Sequence, residues 1–152
     1  MSDLTLTDIA EKMKDIDFAM LTTKTEGGAL GSRPMSNNRE VEFDGDAFFF
    51  TCDDARTVAD IEGDPKVGLA YQGKSGMLGM KPFFCSVEGT AELIKDKARF
   101  AEHWRKDLDA WFKEGIDTPG LTLLKVVAQR LHYWDGYEEG EIAVGNREAV
   151  TG

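Results

Sequence analysis

Short apolar runs separated by turn-forming pairs constrain the fold of this chain more than any other feature. Residues 18–23 and 29–35 flank Glu26-Gly27-Gly28, whose two glycines supply the positive φ that a tight hairpin demands. Val41 and Phe43 lead through Asp44-Gly45, a second hairpin signal, to the apolar residues 47–52. Val67, Leu69 and Tyr71 then alternate with polar or small neighbours, as do Phe83, Cys85 and Val87, and each set marks one face of a strand. Residues 121–134, rich in β-branched and aromatic side chains, are predicted to be the final strand. Consecutive hairpins protect their edges by closing on themselves. The predicted fold is therefore mainly β with peripheral helices (α+β), an antiparallel barrel closed or partly closed.

Three helical segments interrupt the strands. Thr7 is placed to cap a short amphipathic helix over 7–15, with Ile9, Met13 and Ile16 at helical spacing. Asp53 or Asp54 is expected to cap a second, which carries Val58 and Ile61 and stops at Gly63 and Pro65. Phe100, Trp104, Leu108 and Trp111 recur at i, i+4, i+8 and i+11, a third helical stripe. After a loose segment at 72–76 no linker or repeat intervenes, and from about residue 136 the chain reads as a polar acidic tail with Glu138, Glu139 and Glu141. The 152 residues are predicted to form one domain, large enough to bury about two-thirds of its unfolded surface without metal or disulfide support.

A net charge of -10 argues against nucleic acid or an anionic membrane as partner, because both bind through broad basic surfaces. No apolar stretch approaches the roughly 20 residues that span a bilayer. Met1-Ser2-Asp3-Leu4 lacks the basic and apolar regions of a signal peptide, so a soluble cytoplasmic protein is expected. Cys52 and Cys85 lack CxxC spacing and sit in apolar runs, so they are expected as buried free thiols, with no metal site.

Against this acidic background two arginines stand out. Pro34 pushes Arg33 toward extended geometry and, lacking an N–H, belongs at a strand edge or bulge where backbone is free to meet a ligand. Arg56 falls in the first turn of the second predicted helix, where free N–H groups attract anions, and Thr51 can add a hydroxyl donor. Together they are candidates for a phosphate clamp. Other constellations fail. Nothing matches HExxH, a nucleophile elbow, GxGxxG or a P-loop, and His103 reads as a helix-surface histidine. A flavin carries its own redox chemistry, so the lack of an acid–base dyad leaves an oxidoreductase open.

Several short pieces share an order and spacing with a known group: Ser32-Arg33-Pro34-Met35, Phe49-Phe50-Thr51, Asp64-Pro65-Lys66-Val67-Gly68, Ser86-Val87-Glu88-Gly89-Thr90, Gly115-Ile116-Asp117-Thr118-Pro119 and His132-Tyr133-Trp134-Asp135. Over most of its length the chain resembles the general stress protein 26 group of pyridoxamine 5′-phosphate oxidase-like, FMN-binding split-barrel proteins. The resemblance implies a six-stranded antiparallel split β-barrel and a homodimer with FMN in clefts between subunits. Arg33 would grip the phosphate, and the backbone at Pro34, Met35 and Ser36 would run beside the isoalloxazine ring. Phe50 and Thr51 match the segment next to the ribityl chain, Arg56 an arginine of the Ser-Arg-Lys phosphate motif, and Trp134 a tryptophan near the flavin contributed across the dimer. The implied function is an FMN-dependent oxidoreductase, linking a reduced nicotinamide nucleotide to a small-molecule acceptor. A flavin-sequestering or flavin-sensing stress protein is the alternative, and superfamily relatives use a deazaflavin or haem instead.

The chain also departs from the pattern. Ala55 and Thr57 replace the serine and lysine of the phosphate motif, and Phe84 stands where a glutamine contacts the flavin. Gly140-Glu141-Ile142-Ala143-Val144 replaces an Arg-Leu-His segment that binds substrate in pyridoxine-phosphate oxidases, which disfavours the vitamin B6 reaction.

Overall fold

One antiparallel sheet runs through the protein, whose computed structural model describes residues 4–37, 44–73 and 82–144. The predicted positions at Val41 and Phe43, and residues 74–76 of the loose segment, lie outside the described residues. In chain order the elements are α1 (Leu6–Met13), β1 (Phe18–Lys24), β2 (Leu30–Ser36), β3 (Asp46–Cys52), α2 (Arg56–Gly63), β4 (Lys66–Gln72), β5 (Phe83–Ile94), α3 (Lys97–His103), β6 (Leu121–Asp135) and β7 (Glu138–Ala143). Six strands curl into a half-barrel in the order β2-β1-β4-β5-β6-β3, and β7 adds to β6. The mainly β architecture with peripheral helices is thus the one predicted. β1 and β2 turn through Gly27 and Gly28, with φ of 86° and 85°, as the glycine pair requires.

β6 organises the sheet. β5 pairs along one edge from Leu123 to Asp135, while on the other edge β3 pairs with residues 121–127 and β7 with residues 130–135. β3 and β7 therefore lie end to end along the same edge. Pairing with β5 steps from Glu88↔Arg130 to Gly89↔Ala128, which leaves Gln129 as an extra residue on β6. This bulge reverses the alternation of the strand. Leu124, Val126 and Ala128 face the core before it, and Leu131 and Tyr133 after it. Gly89 is required there, because a Cβ would sit 2.4 Å from the Val127 carbonyl oxygen.

Inside the half-barrel, Ala19, Leu21, Phe49, Leu69, Tyr71 and Val87 pack with those β6 residues, and α1 adds Ile9 and Met13. Each large apolar side chain buried this way contributes about 1.5–3 kcal/mol relative to exposure. A second cluster, built on Phe100, Leu121 and Leu123, covers the outer face of β3 and β6 with Phe48, Phe50 and Trp104. Residues 121–128 are consequently buried on both faces, which explains their continuous apolar run.

Local details differ from the sequence expectations for identifiable reasons. Thr5, not Thr7, caps α1: its hydroxyl accepts from Asp8 N–H at 3.2 Å while the Asp8 carboxylate accepts from Thr5 N–H at 2.9 Å, a reciprocal box that satisfies two donors at once. Neither Asp53 nor Asp54 caps α2. Ala55 holds that position without a side-chain bond, and Asp53 pairs with Lys95 at 3.3 Å. The stripe from Phe100 to Trp111 breaks after His103, where Trp104 and Arg105 are extended before a 3₁₀ turn at Lys106–Ala110. Trp104 packs edge-on against Phe50 at 4.9 Å and donates its indole N–H to Asp109 at 3.0 Å, and residues five apart do not share a face in a continuous helix.

The described start of the acidic tail forms a strand over Glu138–Ala143. Asp135 pairs with Glu138 across a two-residue turn in which Gly136 has φ 67°, and β7 follows with Ile142 and Val144 against the core. Gly140 makes this pairing feasible, since a Cβ would lie 2.3 Å from the Tyr133 hydroxyl. Cys52 and Cys85 are both free; burial pushes the Cys85 thiol up to about 12, and Cys52 is half-buried instead of buried. No helix among the described residues is long and apolar enough to cross a membrane.

Two glycine substitutions should act in opposite directions. Gly89→Ala should lose about 1–3 kcal/mol by forcing the bulge apart. Gly63→Ala meets nothing within 4 Å and should gain about 0.4–1 kcal/mol by restricting the unfolded chain. Equilibrium urea unfolding checks both; equal effects would show that the bulge does not constrain position 89.

Candidate functional site

β2 is the edge strand at one end of the six-strand order, the setting expected for Pro34. Its alternation turns Ser32, Pro34 and Ser36 outward, and Gly31, Arg33 and Met35 inward. Asn37 fixes the end of the segment by donating to the carbonyls of Met13 at 2.9 Å and Ile16 at 2.8 Å.

Arg33 is held from inside. Its Nη1 donates to Thr23 Oγ1 at 2.8 Å and to the Leu21 carbonyl at 3.3 Å, and its Nη2 lies 3.4 Å from Asp60 Oδ2. Thr23 donates its hydroxyl to the same Asp60 oxygen at 2.7 Å. Thr23 and Asp60 are buried, 1% and 7% exposed, so this closed cluster supplies the pairing that a charge out of water requires. The Arg33 side chain remains 22% exposed, and its Nε makes no hydrogen bond with the described residues. A Cβ at Gly31 would lie 3.1 Å from Thr25 Cγ2 and 3.5 Å from Arg33 Nη2, so the glycine lets the Thr25 methyl and the guanidinium approach the strand.

Arg56 is the first residue of α2 and is exposed, one helical turn before Asp60. α2 presents Arg56 and Asp60 to a cleft of about 600 Å³, whose opposite wall includes Lys24 and Thr25 of the β1–β2 hairpin. Asp60 thus pairs with Arg33 and shares the lining of this cleft with Arg56, while Arg33 itself is not part of that lining. Thr51, half-buried at the end of β3, connects to α2 by a turn closed by Ala55 N–H to the Cys52 carbonyl at 2.9 Å. The Phe50 ring points the other way, into the second cluster against Phe100 and Trp104, so its side chain serves packing. Thr57, where the resemblance expects a lysine, is buried. His103 is not a free surface group: its ring stacks on Phe48 at 3.8 Å, and burial lowers its pKa.

Trp134 lies elsewhere. The bulge at Gln129 turns it outward with His132, and their rings stack at 4.1 Å. β7 places Glu139 and Glu141 beside His132, with His132 Nε2 against Glu139 and Nδ1 3.6 Å from Glu141. Within one chain Trp134 does not meet Arg33 or Arg56. It neighbours Phe84 across β5, and Phe84 stands directly opposite Gln72 on β4. The outer face of β1 continues with Phe18 and Met20, 56% and 42% exposed.

Three participants escaped sequence reasoning. Thr23 and Asp60 looked like an ordinary strand threonine and helix aspartate; only the inward alternation Ala19, Leu21, Thr23 signalled that a polar group must be satisfied inside. Gln72 stands directly opposite Phe84, and the signal was the β4–β5 register.

Comparison with known proteins agrees with this architecture. The family model described as pyridoxamine 5′-phosphate oxidase like matches residues 5–149. Protein bli-3 of Neurospora crassa is 24% identical over 140 residues, covering 86% of this chain and 65% of that protein, so the chain spans just under two-thirds of that relative. A Clostridium acetobutylicum protein related to general stress protein 26 of B. subtilis, of the pyridoxinephosphate oxidase family, superposes with a TM-score of 0.75 at 20% identity, over 91% of this chain and 93% of that one. A heme binding protein from Mycobacterium smegmatis gives 0.74 at 18% identity, over 95% and 60% of the respective chains. The shared half-barrel and a family match that runs nearly end to end lead to one assignment: the chain belongs to the pyridoxamine 5′-phosphate oxidase-like family.

Proposed function

We propose that this protein binds FMN beside β2 and uses it as an oxidoreductase, taking hydride equivalents from a reduced nicotinamide nucleotide and passing them to a small-molecule acceptor. The observation that carries this reading is the state of Arg33. Thr23, Leu21 and Asp60 fix its Nη groups, while its Nε makes no hydrogen bond with the described residues. A guanidinium held this way is preorganised for two parallel bonds to a phosphate. Arg56 and the uncapped N-terminus of α2 supply further donors, and Thr51 a hydroxyl. The backbone of Pro34, Met35 and Ser36 lies on an edge strand, where groups remain for a planar ring. Bound there, the flavin supplies the redox chemistry itself. The chain's residues hold the phosphate, orient the ring and keep water from one side.

Trp134 belongs with this site only if a second copy of the chain provides it. The exposed Phe18, Met20 and Phe84 form an apolar outer face, about 1.5–3 kcal/mol each to cover, which favours a twofold homodimer with flavin between subunits.

A second reading, flavin sequestration or sensing without turnover, is favoured by β7. Glu139 and Glu141 surround His132 beside Trp134, where pyridoxine-phosphate oxidases carry a basic segment, so a phosphorylated substrate is repelled. The same acids argue against the vitamin B6 oxidase reaction. The heme binding relative from Mycobacterium smegmatis makes haem the cofactor to test beside FMN.

Purified protein should take up FMN at micromolar concentration, turn yellow, release FMN on denaturation and bleach with reduced nicotinamide nucleotide without oxygen. A colourless protein ends the flavin reading, a Soret band replaces it with haem, and bleaching without turnover on any acceptor favours sequestration. Arg33→Ala, if folded by circular dichroism, should weaken FMN by about thirtyfold to a thousandfold, roughly 2–4 kcal/mol, and riboflavin far less. Arg56→Ala should cost less, because the helix N-terminus and solvent substitute in part. Sedimentation equilibrium should give a dimer that Phe18→Glu together with Met20→Glu disrupts; a monomer at every concentration contradicts the shared cleft.

A further inference from the structure

Arg33 has an internal anion already. A guanidinium carries five N–H donors, and three hydrogen bonds within the chain engage only its Nη groups. The Asp60 contact, at 3.4 Å, is longer than the about 2.7–2.9 Å of a well-formed charge-assisted bond. Its shorter bond, 2.7 Å, is accepted from Thr23. The Asp60 carboxylate thus depends on Thr23 for its hydrogen bond and lends Arg33 mainly its charge. With Asp60 only 7% exposed, that charge is weakly screened by water.

We propose that Asp60 is a built-in counter-anion that sets how strongly this chain holds phosphate: it positions Arg33 and at the same time cancels much of its attraction for an incoming anion. For FMN this rests on the flavin reading above; for phosphate itself it does not. The carboxylate at Asp60 opposes the incoming anion, so the site binds the phosphate end weakly and can exchange it. Asp60 is thereby an affinity-determining residue that acts through Arg33, without touching the ligand.

The test is Asp60→Asn, which keeps the shape and an oxygen to accept from Thr23 but removes the charge. Inorganic phosphate, FMN and riboflavin are each titrated by calorimetry against the wild type, Asp60→Asn, and Asp60→Asn combined with Arg33→Ala. Phosphate and FMN should bind Asp60→Asn about tenfold or more tightly than wild type. Riboflavin should not change, and the double variant should lose the gain. A folded Asp60→Asn that binds phosphate and FMN no more tightly than wild type overturns the proposal. Gain for phosphate with no binding of FMN to any form would sink the flavin reading and leave Asp60's role standing. Should Asp60→Asn fail to fold, NMR of the wild type decides: phosphate must shift both the Arg33 Nε–H and the Asp60 carboxylate resonances, and a shift missing from either overturns the idea.

Discussion

The sheet is organised by one strand whose first half is buried on both faces. β6 contributes to the half-barrel core through Leu124, Val126 and Ala128 and to the outer cluster through Leu121 and Leu123, while pairing with β5, β3 and β7. A strand so constrained has no freedom to slip, because a shift of one residue exchanges its two faces. The single extra residue at Gln129 is the one place where that exchange is permitted, and it separates the structural half of β6 from the half that presents His132 and Trp134 to the outside. The reach of the candidate site across the sheet therefore follows from a core requirement: Gly89 must yield to the Val127 carbonyl.

At the other end of the sheet the governing interaction is polar. Arg33 points into the half-barrel because β2 alternates, and an inward arginine survives only with partners. Thr23 comes from the neighbouring strand and Asp60 from α2, so the cluster also ties the helix to the sheet. The Nη groups hold the fold, and the proposed binding role falls to the Nε edge of the same guanidinium.

How much of this was legible in the sequence depended on whether the signal was local. The Gly27-Gly28 hairpin and the alternations at Val67, Leu69, Tyr71 and at Phe83, Cys85, Val87 are written in neighbouring residues, and the half-barrel follows from them. β7 was not legible, because Glu138-Glu139-Gly140-Glu141 has no apolar alternation and becomes a strand only by pairing with an edge of β6 that β3 leaves uncovered. The stripe from Phe100 to Trp111 had a helical period yet broke, since Trp104 gains more from Phe50 and Asp109 than from continuing the helix. At the site, Arg33 and Arg56 stood out as cations in an acidic chain. Asp60 did not, since nothing local to an aspartate in a helix announces that it will face an arginine 27 residues away.

The character of β7 and β2 has a consequence for how copies of this protein add to one another. An open sheet can lengthen indefinitely if its outermost strands accept further backbone, which is the route to fibrils. Here β2 carries Pro34, which withholds a donor, and β7 carries Glu138, Glu139 and Glu141, which repel an identical strand laid alongside. Three of the apolar side chains left outside, Phe18, Met20 and Phe84, lie on a face and not along a rim. Along β2 and β7 growth by strand addition is suppressed, while contact through the face can be satisfied by a finite assembly.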